Sequence, residues 1–232
     1  MMRKITIAVD GYSSCGKSTL SNDLAHKLGY SYIDTGAMYR AVTLHCMEEK
    51  IISEHKFSEE GIIAELPHIK LDFVVSEISG KAEIYIHGRN IEQAIRTLEV
   101  ASLVSHVSAI HEVRVQMVHL QREMGKKGGV VMDGRDIGTT VFPHAELKIF
   151  MTANEDIRIQ RRKLEMEEKG IKVTAEEVRK NIHQRDMDDT TRKESPLRQA
   201  EDAVVLDNSN LTREEQLDLA LRWSVERGAK LL

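Results

Sequence analysis

The chain has 232 residues, 41% of them hydrophobic and 30% charged, with a formal net charge of −4 and two cysteines. That length supports one substantial core with an insertion, and the balance excludes a disordered chain, a disulfide framework and a globally basic nucleic-acid binder. No apolar run approaches a membrane span, and Met1-Met2-Arg3-Lys4 leads straight into a strand pattern, so no signal peptide is expected. A cytoplasmic chain with free thiols at Cys15 and Cys46, no membrane and no nucleic-acid partner is the expectation.

Ile5-Thr6-Ile7-Ala8-Val9-Asp10 reads as a buried strand. Directly after it, Gly11-Tyr12-Ser13-Ser14-Cys15-Gly16-Lys17-Ser18 matches the phosphate-loop pattern G-x-x-x-x-G-K-[ST]. Thr19 follows, and Leu20, Leu24 and Leu28 then repeat on one helical face. The strand, loop and helix are the context the chemistry needs. Glycine lets the backbone wrap a polyphosphate so that N–H groups point at its oxygens, and the helix adds the positive end of its dipole. Lys17 would reach the β- and γ-phosphates, and the Ser18 hydroxyl would ligate Mg²⁺ held with ATP. Residues 11–19 are therefore the predicted ATP contacts. The loop alone does not say what is done with the triphosphate.

Four further runs read as buried parallel strands: 30–34, 130–133, 147–151 and 204–206. With helical patterns between most of them, they predict an α/β, doubly wound parallel sheet of five strands flanked by helices. Three strands end in an acid followed closely by glycine, at Asp10-Gly11, Asp34-Thr35-Gly36 and Asp133-Gly134-Arg135-Asp136. Ligands bind beyond such strand ends, so all three acids are expected to face one crevice. Residues from about 60 to 95 break this rhythm. Leu71, Phe73 and Val75, a turn at Ser79-Gly80, then Ile84 and Ile86 predict an antiparallel hairpin closed by Gly88, within an inserted subdomain. Helices are predicted over 97–109 and 112–124. Thr174 with Glu177, and Thr212 with Glu215, mark capping boxes.

Arginine suits phosphate because it stays charged and binds bidentately. Arg40 follows the Asp34-Thr35-Gly36 turn on the helix it opens, and Arg135 sits at a strand mouth. Arg185, Asp189 and Arg192, spaced i, i+4, i+7, project from one helix face. An ordinary Arg185–Asp189 salt bridge is the plain alternative. Arg158, Arg161 and Arg162 form a charge run, read either as a solvated face or as a segment closing over the triphosphate. The histidines have no metal-ligand spacing, and Met38, Met117, Met132 and Met151 read as core filler.

Taken together these stretches resemble the bacterial cytidylate kinases, nucleoside monophosphate kinases of the P-loop kinase fold. The resemblance rests on residues 10–19, Tyr32-Ile33-Asp34-Thr35-Gly36-Ala37-Met38-Tyr39-Arg40, residues 95–100 and 104–109, Val113-Arg114, residues 133–138 with Val141-Phe142-Pro143, and Arg185-Asp186 with Asp189 and Arg192. These occur in family order along nearly the whole chain. The resemblance implies a core in residues 1–40 and 105–154 and an inserted α+β monophosphate-binding subdomain in 41–104. It further implies a short helical lid in 155–173, and core with a substrate-facing helix in 174–232. It implies that Thr35, Arg40, Arg135 and Arg192 hold the acceptor phosphate, that Ser105, Arg114 and Asp136 contact the cytosine edge, and that Arg185 and Asp189 lie at the sugar. Lys17, Arg135, Arg161 and Arg162 would serve the migrating phosphoryl group. The implied reaction is in-line phosphoryl transfer from ATP, with Mg²⁺, to CMP and dCMP by a monomer of pyrimidine nucleotide metabolism. A P-loop kinase for UMP or shikimate and a nucleotide-binding switch are the alternatives. The chain departs from the family loop, Gly-Pro-x-Gly-x-Gly-Lys, at Tyr12 and Ser14, and Thr35 replaces a common serine. If the Ser14 position requires positive φ, a serine there stores strain.

Overall fold

A computed structural model describes residues 4–75, 82–168 and 170–230. Successive side chains of a strand point to opposite faces, and β1 (Thr6–Gly11) uses both. Ala8 joins one apolar cluster, while Ile7 and Val9 join another. A strand buried on both faces must lie inside a sheet covered on both sides. β1 does so, at the centre of a five-stranded parallel sheet with strand order β2-β6-β1-β7-β8. The other strands are β2 (Ser31–Asp34), β6 (Val130–Gly134), β7 (Leu147–Thr152) and β8 (Val204–Asp207). The predicted sheet is therefore present, with each strand within one or two residues of its expected ends.

α1 (Lys17–Leu28) and α8 (Arg213–Glu226) cover one face around Leu20, Leu24 and Ala220. α2 (Thr35–Glu48), α4 (Leu98–Ala109) and α5 (His111–Gly125) cover the other. Between α2 and α4 lie α3 (Glu59–Glu65) and an antiparallel sheet of β3 (Leu71–Val75), β4 (Ala82–Ile86) and β5 (Arg89–Asn90). The expected hairpin thus gains a third, two-residue strand. Gly88 joins β4 to β5 rather than closing β3 onto β4, with His87 and Gly88 at φ +50° and +78°. The predicted Ser79-Gly80 turn lies outside the described residues. Ile84 and Ile86 of this sheet belong to the same apolar cluster as Met38 and Val42 of α2. The insertion thus shares the core of the larger sheet. The boundaries at 40/41 and 104/105 fall inside α2 and α4.

α6 (Glu155–Glu168) and α7 (Ala175–Thr191) pack together through Ile159, Val178 and Ile182. Both expected capping boxes form, with Thr174 and Thr212 accepting the N–H of Glu177 and Glu215 while each glutamate bonds back. The four methionines read as filler are all fully buried. No described helix is long and apolar enough to cross a membrane.

Candidate active site

The C-terminal ends of β1, β2 and β6 open into a cavity of about 410 Å³, bounded by α2, α4, α5, α6 and α7. Its near wall is the glycine-rich loop. Gly11, at φ +149°, brings the end of β1 against β7 so closely that a β-carbon would stand 2.1 Å from the Met151 carbonyl oxygen. Only glycine makes that turn. Ser13, Ser14, Gly16, Lys17, Ser18 and Thr19 line the cavity. Gly11, Tyr12 and Cys15 lie behind this wall and hold it up. The Tyr12 ring sits edge-on to Phe150, 5.8 Å between centroids, and the Cys15 carbonyl accepts Asn208 Nδ2 at 2.7 Å. Ser14, standing where the family loop has glycine, has φ +59°. A left-handed serine there costs about 1 kcal/mol.

Lys17 is buried and donates its Nζ to the Tyr12 carbonyl at 2.7 Å. Burial, with the Arg135 cation nearby, pulls its pKa below the usual lysine range. Ser18 donates its hydroxyl to Asp133 Oδ2 at 3.0 Å, while the Tyr32 hydroxyl binds Oδ1 at 2.8 Å. Burial and the facing Asp34 push the Asp133 pKa up to about 6. Asp34 moves the other way. Burial opposes its charge, but Arg40 at 2.9 Å and Arg96 at 3.5 Å outweigh that and lower its pKa. Asp34 also caps α2 by accepting the Ala37 N–H at 2.9 Å.

Asp10 is the exception among the three strand-end acids. It does not reach the cavity. Its two oxygens accept the Ile137 and Gly138 N–H groups at 2.8 and 2.7 Å. It thereby secures the turn that carries Arg135 and Asp136. Burial raises its pKa to about 6 against those two hydrogen bonds.

The far wall is made of side chains from separate elements. Thr35, Arg40, Ser105, Arg114, Arg135, Asp136, Arg185, Asp189 and Arg192 all line the cavity. Buried Arg114 and Asp136 pair at 2.5 Å, and Arg192 stands 3.5 Å from the same carboxylate. Arg135 donates Nε to Asp189 at 2.6 Å and Nη2 to Ser13 Oγ at 3.0 Å, so it touches both walls. Burial opposes the charge on Arg135, yet Asp189 more than offsets it and raises the pKa. Asp189 is thus engaged by Arg135 and, at 3.6 Å, by Arg192, in place of an i,i+4 bridge to Arg185. Arg185 is pushed down to about 10 by burial and the neighbouring Arg135. The buried Nε atoms of Arg40 and Arg162 have no hydrogen-bond partner in the described structure.

The arginine run of α6 is not a solvated face. Arg162 lines the cavity, but Arg161 does not; its guanidinium is spent on the side chain and carbonyl of Asn208, at 2.9 and 3.0 Å. Arg158 is buried against Asp186 and Tyr12. Asp34 and Asp133 line the cavity as the strand-end rule expects, whereas sequence reasoning gave no role to Tyr39, Arg96, Ser108 or Glu165, which also line it, or to Asn208 behind the loop. Asn208 directly follows β8, and the strand-end rule was the available signal. Arg96 had no such signal, because the antiparallel insertion delivers it. Eight cationic and five acidic side chains line the cavity, a surplus suited to polyanions.

The sequence model of the cytidylate kinase family matches residues 7–224. The chain is 51% identical to a protein named cytidylate kinase from Flavobacterium psychrophilum, over 95% of this chain and 97% of that one. It is 50% identical to a protein of the same name from Bacteroides thetaiotaomicron, over 100% and 99% of the two chains. An uncharacterized protein from Eubacterium ventriosum shares the overall fold, with TM-score 0.53 and 10% identity over 97% of this chain and 99% of that one.

Proposed function

The chain belongs to the cytidylate kinase family of nucleoside monophosphate kinases, and from that premise we propose that it transfers the γ-phosphoryl group of ATP to CMP and dCMP. The single observation that carries this reading is the two-walled cavity, with a phosphate loop on one side and convergent arginines around a buried carboxylate on the other. ATP lies with its phosphates in the loop of residues 11–19. The acceptor phosphate lies among Thr35, Arg40, Arg135 and Arg192, the base against Ser105, Arg114 and Asp136, and the sugar beside Arg185 and Asp189.

Monophosphate oxygens are largely ionised at neutral pH, since a phosphate ester's second pKa is about 6. The acceptor therefore needs no strong general base, and catalysis is alignment plus charge neutralisation. Lys17 and Arg162 face the migrating group from the loop and from α6. Arg135 bridges the walls and would hold donor and acceptor in line. Arg161 acts one step back, through Asn208 and the loop. Closure of α6 over the site would exclude water, which would otherwise take the phosphoryl group.

Mg²⁺ fits the oxygen ligands present. The Ser18 hydroxyl and the Asp133 carboxylate stand 3.0 Å apart, while no cluster of three acidic, histidine or cysteine ligands occurs among the described residues. That set matches a cation carried in on ATP phosphates rather than held by a protein cage. Bound there, Mg²⁺ would supply charge neutralisation to the ATP phosphates.

Cytosine presents an amine donor where uracil presents a carbonyl. Asp136 accepts from the amine and would meet uracil with a repulsive acceptor. An acceptor panel tests the reading: ATP with CMP, dCMP, UMP or no acceptor, scored by ADP formation. ADP formed only with CMP and dCMP supports it. Rapid turnover of UMP, or hydrolysis indifferent to acceptor, removes it.

A further inference from the structure

Asp186 lies outside the cavity lining, yet its carboxylate reaches the phosphate loop. One oxygen accepts the Ser13 N–H at 3.2 Å and the other accepts Arg158 Nη1 at 2.5 Å. Arg158 Nη1 also donates to the Ser13 carbonyl at 3.3 Å, and its guanidinium lies over the Tyr12 ring, 5.4 Å from the centroid. Both backbone polar groups of Ser13 are thus held by one ion pair, with Arg158 on α6 and Asp186 on α7. The two peptide planes that flank Ser13 are fixed from behind the cavity.

The second of those planes is the Ser13–Ser14 peptide, and rotation about the next bond sets φ of Ser14, which is +59°. Glycine adopts that angle freely, but a residue with a β-carbon keeps it only where its surroundings over-determine it. The Arg158–Asp186 clamp is such a surrounding, and it sits next to a loop residue that lines the cavity.

We propose that Asp186 is a positioning residue for the donor nucleotide: with Arg158 it clamps the Ser13–Ser14 peptide in the orientation a phosphate-binding loop needs, compensating for serine in place of glycine at position 14. The proposal rests on the donor-site reading above. Asp186 touches neither nucleotide, and its effect is confined to the loop half of the site.

Calorimetric titration of ATP and of CMP, each alone, into the full chain tests it. The proteins are the wild type, Asp186→Ala, Asp186→Asn, Ser14→Gly, Ser14→Gly with Asp186→Ala, and Lys17→Ala. Asp186→Ala is expected to raise the Kd for ATP about tenfold and leave that for CMP within about twofold. Asp186→Asn keeps an acceptor oxygen for the Ser13 N–H and recovers part of the loss. In the Ser14→Gly background the ATP penalty of Asp186→Ala shrinks to about twofold, because glycine needs no clamp. The proposal is overturned if Asp186→Ala binds ATP normally, if it weakens ATP and CMP alike, or if the penalty persists with glycine at 14. Wild type that binds no ATP removes the donor-site reading and the clamp together. ATP binding lost in Lys17→Ala but intact in Asp186→Ala removes the clamp alone.

Discussion

The two walls of the cavity are built by opposite means. The loop wall is eight consecutive residues whose shape comes from backbone angles, at Gly11, Ser14 and Gly16, with most supporting side chains behind it. The facing wall has no local backbone motif. It is a set of ion pairs whose members come from β2, α2, α5, α7 and the turn after β6. A contiguous backbone device serves any polyphosphate, whereas paired side chains from scattered elements can be set for one acceptor. In the proposed function, the first wall supplies generic chemistry and the second supplies choice.

Removing the loop's one lysine breaks the generic half most severely. Lys17→Ala should lower kcat by about 10²–10³-fold, with the denaturation midpoint unchanged or raised, since the lysine charge is desolvated in the fold. Stopped assays alongside urea melts check both parts. An active Lys17→Ala enzyme would detach the loop from the chemistry.

Asp10 joins the walls, and its titration sharpens where stability is held. Its folded pKa, about 6, lies above the ordinary 3.8. The stability it contributes is therefore full below pH 3.8 and is lost as pH rises through about 6. Unfolding free energy should grow by about 1.4 kcal/mol between pH 7.5 and 5, since pH 5 lies about one unit below the folded pKa. Asp10→Asn should flatten that slope, as guanidinium titrations at several pH values would show. A slope unchanged in the variant would assign it to other groups.

The selective wall is sharpened by Asp136→Asn. The ratio of kcat/KM for CMP over UMP should fall at least about tenfold. Taking the ratio cancels any general loss from leaving Arg114 less well paired. Retained selectivity would place base discrimination elsewhere, with Ser105 and Ser108 next to test.

The smallest effect is on the loop itself. Ser14→Gly should raise stability by about 0.5–1 kcal/mol through relief of the left-handed serine, less the entropy glycine adds to the unfolded chain. Differential scanning calorimetry reads this as a higher Tm. A lower Tm would mean that the serine is not strained.

The same contrast explains what could be read without coordinates. Leu20, Leu24 and Leu28 announced α1, and the spacing of Gly11, Gly16 and Lys17 announced its loop, because each signal is local. All nine acceptor-side residues expected from family resemblance do line the cavity. Residue spacing alone suggested only an i,i+4 bridge for Asp189, whereas the observed partner is Arg135, 54 positions away. Arg158 and Arg161 look like a solvated run because nothing nearby in sequence shows that Asp186 and Asn208 will receive them. Asp10 looked like a cavity acid because the strand-end rule places it correctly but does not say which way its carboxylate turns.

The register of the sheet also sets an order of events at the ribosome. The phosphate loop is synthesised well before its supports. Asp186, whose carboxylate accepts the Ser13 N–H, lies 173 positions beyond it, and Asn208 reaches Cys15 across 193. β1 itself gains neighbours only when β6 and β7 have emerged. The nascent chain therefore carries the motif before it carries a working loop, while the insertion, with its short-range antiparallel pairing, can form first. A working loop thus depends on residues made 173 and 193 positions after it.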